Sequence, residues 1–186
     1  MSRDVNFRDD RYHELARAIG ELALVWNDLG MVLSDLFHAL TRIPNGLAAD
    51  AVWNSIRSDR TQRDIVFSLA KLEALGYELE SDLRADILWC LKEIEKLEDL
   101  RNYAIHSPVY QDHIGTIVAW YELGHPRAKN LANKDLLKEF GWFYDTTVIL
   151  RRYCEQLSDS VCRPNEPRAS RPALPNRGSI GTTAGS

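Results

Sequence analysis

Apolar residues recur through the first part of the chain at Leu15, Ile19, Leu22, Trp26, Leu29, Leu33, Leu36 and Leu40. Steps of three and four put them on one side of an α-helix, and no strand has that period. Ile43-Pro44-Asn45-Gly46 ends this helix, because Pro and the Asn-Gly pair punctuate helices. A shorter apolar set, Leu47, Val52, Trp53 and Ile56, predicts a short second helix. Asp59 with Gln62 resembles a capping box and opens a third, which carries Ile65, Leu69, Leu72 and Leu75 and ends at Gly76. A fourth starts near Ser81 and keeps Leu83, Ile87, Cys90, Ile94 and Leu97 in step as far as the stretch RNYAIH, Arg101 to His106. Asn133 caps a final long helix with Leu136, Phe140, Phe143, Thr147, Leu150, Cys154 and Leu157 on one side.

The segment VYQDHIGTIVAWYELG, residues 109–124, breaks the pattern with β-branched and aromatic residues on both sides of a Gly. It predicts two short strands, a hairpin, or an irregular excursion before the last helix. No segment repeats at a fixed period. The fold expected is all-α, an antiparallel bundle of four to five helices with that insertion.

A length of 186 residues suits one domain with a real core. Residues 1–162 form the expected bundle. The remainder, 163–186, is rich in Pro, Gly, Ser and Arg and reads as a disordered tail in which Arg163, Arg168, Arg171 and Arg177 are opposed by Glu166 alone. Hydrophobic residues make up 45% and charged ones 27%, and no apolar run approaches the ~20 residues of a membrane helix. The charged N-terminus has no secretory pattern, so a cytoplasmic location is expected. Cys90, Cys154 and Cys162 lack paired spacing and read as reduced structural residues. The net charge of −4 gives no broad electrostatic footprint for nucleic acid, so any RNA contact is local.

No Gly-rich phosphate loop, GxSxG elbow, HExxH or paired Cys/His spacing occurs, and neither a cofactor nor a metal is expected. His38, His113 and His125 stand alone in sequence and read as surface or satisfied histidines. RNYAIH is different. At about 100° per residue, Arg101 projects near the middle of the stripe begun by Leu83, where a leucine is expected. A guanidinium out of water is costly, so either a carboxylate meets it or this end of the stripe faces a wet cleft or a subunit interface. Asn102 and His106, four residues apart, share a flank of the same helix. Ser107-Pro108 stops the helix, which leaves His106 near the last turn, where the helix dipole favours a protonated imidazole. Arg and His in a last turn also serve simply to bond orphan carbonyls.

The Arg101-Asn102-(three residues)-His106 pattern at the end of an internal helix resembles the motif of the HEPN superfamily, the higher eukaryotes and prokaryotes nucleotide-binding domains. The resemblance implies a helical bundle that dimerises so that two motifs face one cleft. It also implies, for active members, metal-independent RNA cleavage in toxin–antitoxin, phage-defence or RNA-processing settings, with an antitoxin or regulatory protein as a further partner. Arg8 to His13 has the same spacing but precedes the first apolar stripe, so the family's roles pass to Arg101, Asn102 and His106 alone.

Those side chains suit the reaction. His106 can exchange a proton near neutral pH, Arg101 can stabilise phosphate oxygens, and Asn102 can donate to phosphate or fix the imidazole tautomer. The second reading is a non-catalytic helical module that dimerises and binds a nucleotide, an RNA or a protein. Partial exposure of the three residues favours the enzyme, and full burial with Arg101 ion-paired favours the module.

Overall fold

The computed structural model describes residues 10–72, 79–106, 109–111, 117–119, 131 and 134–177. It contains α1 (Asp10–Thr41), α2 (Gly46–Ser55), α3 (Asp59–Lys71), α4 (Ser81–His106) and α5 (Leu136–Cys162). Two short strands, β1 (Val109–Gln111) and β2 (Ile117–Ala119), pair antiparallel with Val109 opposite Ala119. The all-α class is as expected and is compatible with a helical bundle, with the hairpin before the last long helix.

Local chemistry sets the helix ends. Arg42 takes a left-handed conformation (φ 49°) and donates its N–H to the His38 carbonyl, an αL stop that ends α1 ahead of Pro44. Asn45 caps α2, its side-chain oxygen accepting the N–H groups of Leu47 and Ala48. The cap of α3 is Ser58, which accepts from Thr61 N–H, and not Asp59 as the capping-box spacing suggested. The Asp59 carboxylate is instead occupied by the Trp26 indole N–H at 3.1 Å. Gln62, the other half of the expected box, sends its amide to the Trp53 and Ile56 carbonyls at the end of α2. Asp135 accepts the Lys138 N–H at the start of α5; the expected cap, Asn133, lies outside the described residues.

The stripes on α4 and α5 are buried as expected, from Leu83 to Leu97 and from Leu136 to Leu157. Those on the short helices are not. On α3 the buried residues are Arg63, Val66 and Ala70, while Leu72 is half exposed just beyond the helix end at Lys71. On α2 Leu47 and Val52 are exposed, and Ala49 and Trp53 are buried. With 10 residues, α2 needs one covered side, and Trp53 supplies it against Phe37 at a ring separation of 5.3 Å.

Contacts divide the chain into two compact units. One unit comprises 1–25, 97–146 and 174–186; the other comprises 26–96 and 147–173. Within the second unit, Asp28 pairs with Arg151, and Asp35, His38 and Arg42 share a cleft with Ser158 and Cys162, so α1 and α5 advance in the same direction. There α4 runs opposite to α5, since Cys90 lies against the Leu150 carbonyl and Leu79 and Leu83 share a cleft with Ser160 and Val161.

Of the expected C-terminal tail, residues 178–186 lie outside the described residues. Residues 163–177 form no helix or strand, yet their arginines are engaged. In the second unit Arg168 pairs with Glu80 at 3.2 Å, and Arg171 bonds Asp86 and lies over the Trp89 ring. In the first unit Arg177 bonds Glu139 at 2.8 Å and lies over Trp142, whose indole N–H donates to the Pro175 carbonyl at 2.9 Å.

Candidate functional site

Arg101, Asn102 and His106 all lie in the last turns of α4, in the first unit. Leu97, Leu100 and Ala104 are buried there, at 2%, 6% and 4% exposure. Successive residues turn by about 100°, so this buried arc has rotated away from the Leu83–Ile94 stripe and leaves Arg101 at its edge, not its centre. Arg101 is accordingly half-buried, and its Nε is shielded from solvent.

The guanidinium is oriented within its own helix. Arg101 Nη1 donates to Asn102 Oδ1 at 3.0 Å. The bond takes up the Asn102 acceptor, so what Asn102 offers an incoming oxygen is its NH2 group. The Asn102 NH2 group thus stands beside a guanidinium whose Nη1 is already engaged, a donor pairing whose chemistry suits an anionic oxygen. Asn102 is half-buried and His106 is exposed on the final turn of α4. The structure thus joins Arg101 and Asn102 directly and sets His106 four residues beyond them on the solvent side. In the competing Arg8-to-His13 stretch, Arg8 and Asp9 lie outside the described residues, and His13 is exposed at the start of α1.

Sequence reasoning missed a second polar constellation. In the second unit a cleft of about 420 Å³ is lined by Trp26, Trp53, Asp35, Asp50, Asp59 and Arg63 among others. The His38 imidazole, which sequence left isolated, has Nε2 at 3.1 Å from Asp50 Oδ1. Burial raises the Asp35 carboxyl above its usual range, opposed by His38 and reinforced by Glu155, Asp159 and Asp50. His38 and Asp50 lie on different helices, and no spacing rule connects them. His113 and His125 lie outside the described residues. Among the described residues no group of three His, Cys, Asp or Glu side chains is arranged to hold a metal ion, and no helix is long and apolar enough to cross a membrane.

Comparison with family models, with curated proteins and with solved structures gave no match.

Proposed function

We propose that the chain is a metal-independent endoribonuclease of HEPN type whose site is the C-terminal end of α4. The supporting observation is the hydrogen-bonded Arg101–Asn102 pair at the edge of the core, with an exposed His106 on the same helix end. In this reading His106 takes the proton of an RNA 2′-hydroxyl as that oxygen attacks the adjacent phosphorus. The O2′–P bond forms, the P–O5′ bond breaks, and the products are a 2′,3′-cyclic phosphate and a 5′-hydroxyl. Arg101 holds the non-bridging oxygens as they gain charge, and the Asn102 NH2 adds a donor. The leaving 5′-oxygen needs a proton, and a homodimer that brings a second His106 to the cleft supplies it. A cellular setting as a toxin, defence or RNA-processing factor, with an antitoxin or regulatory partner in the cytoplasm, belongs to the same proposal.

A non-catalytic module is the second reading, and one observation favours it: the Arg101 guanidinium already has an internal oxygen to bond. Incubating a mixed RNA pool with the protein in EDTA separates the two. Cyclic-phosphate ends made by the wild type and lost in His106→Ala support the nuclease. RNA retained on the protein with no cleavage, equally by both chains, supports the module.

A further inference from the structure

The arginines of the C-terminal segment are received by two similar arrangements. On α4, Asp86 and Trp89 are three residues apart; on α5, Glu139 and Trp142 are three residues apart. That spacing puts a carboxylate and an indole side by side on a helix surface. With the arginines in place the carboxylate side chains are 19% and 16% exposed, and each has a cation against it. A guanidinium satisfies both neighbours at once: it hydrogen-bonds the carboxylate and stacks on the ring. Arg171 does so at Asp86 and Trp89, with its guanidinium carbon 5.5 Å from the ring centre. Arg177 does so at Glu139 and Trp142, at 5.3 Å, while Lys134 approaches the other Glu139 oxygen at 3.5 Å.

Proline shapes what is received. Arg171 precedes Pro172, which confines its backbone to extended conformations, and the Pro175 carbonyl takes the Trp142 N–H two residues before Arg177. The spacing alone is not enough. Asp50 and Trp53 repeat it on α2, but there the ring is turned into the core against Phe37 and His38 stands at the carboxylate. An open ring face distinguishes the two receiving locations.

We infer that α4 and α5 each carry a receptor station for an arginine, filled here by Arg171 and Arg177 of the chain's own C-terminal segment respectively, and open to exchange with the same residues of a second copy of this chain. The anchoring arginines are 30%, 46% and 41% exposed, and ion pairs so placed hold weakly. The segment leaves α5 through a short turn in which Arg163 and Glu166 pair at 3.5 Å. Exchange requires that turn to open and the arginine and Trp142–Pro175 contacts to break, and the incoming segment offers the identical chemistry to replace them.

The test uses the full chain and a fluorescently labelled peptide of residues 167–177, followed by anisotropy. Occupancy in cis lowers apparent affinity by the fraction of time the stations are filled. The Arg171→Ala/Arg177→Ala chain, which frees the stations, is expected to bind the peptide about tenfold tighter than wild type. Adding Asp86→Asn/Glu139→Gln to that chain removes the gain, as does replacing both arginines of the peptide by lysine. Equal affinity of all chains for the peptide, with helical content unchanged, overturns the proposal. So does binding of an RNA oligonucleotide that Arg171→Ala/Arg177→Ala abolishes while the peptide binds neither chain, since the arginines would then be an RNA arm.

Discussion

The Arg101 guanidinium is held by the side chain of the next residue, Asn102, at 3.0 Å. In the proposed nuclease, replacing Arg101 by Ala removes donors to the phosphate, and a loss of about 10²–10³ in cleavage rate is expected from the usual worth of one such group. Arg101→Lys keeps the charge but not the two-pronged geometry, and recovers little. Single-turnover cleavage checks both, alongside a thermal melt that Arg101→Lys leaves within ~0.5 kcal/mol of wild type. Full activity in Arg101→Ala would sink the assignment.

Ser58, not Asp59, caps α3. Ser58→Ala is expected to destabilise by about 1 kcal/mol through the lost Thr61 bond. Asp59→Ala acts by a different route, freeing the Trp26 indole N–H, and the two effects differ in kind: the second also changes Trp26 fluorescence. Urea unfolding followed by far-ultraviolet dichroism and by fluorescence distinguishes them.

Of the three cysteines, Cys90 and Cys154 are buried and Cys162 is exposed. Hydrogen bonding with Cys154, then burial, pushes the Cys90 thiol well up from its ordinary value. Only the thiolate reacts. In the native protein a chromogenic disulfide reagent should therefore titrate Cys162 quickly and the other two only on unfolding. A Cys162→Ser chain that still reacts quickly contradicts this.

Tyr153 is buried beside Asp86, and burial first, then that carboxylate, pushes its hydroxyl up to about 12. Between about 10, the ordinary tyrosine value, and about 12 the folded chain keeps a proton that the unfolded chain has lost. Stability from this group is complete below that window and falls as pH rises through it. The difference in unfolding free energy between wild type and Tyr153→Phe should shrink over that range and stay flat from pH 6 to 9. A flat difference throughout rules it out.

The α4 and α5 stripes were legible in the sequence because long helices repeat their signal over many turns, and Leu83 to Leu97 are buried as the period requires. The short helices were harder. On α3 a charged residue, Arg63, is buried while Leu72 is not, and an apolarity count inverts that pair. Arg101 was singled out correctly as a polar residue against an apolar stripe, but its place at the edge depends on Leu100 and Ala104 taking over the buried arc. The contacts of Arg171 and Arg177 with Asp86 and Glu139 join residues 85 and 38 positions apart, and composition holds no trace of such pairing.

The Gln62 amide reaches from α3 to two carbonyls at the far end of α2, those of Trp53 and Ile56. One side chain thus ties the start of α3 to the last carbonyls of α2 across the corner. The cleft lined by Trp53, Gln62 and Arg63 therefore has the same side chain in its wall that closes the corner between the two helices.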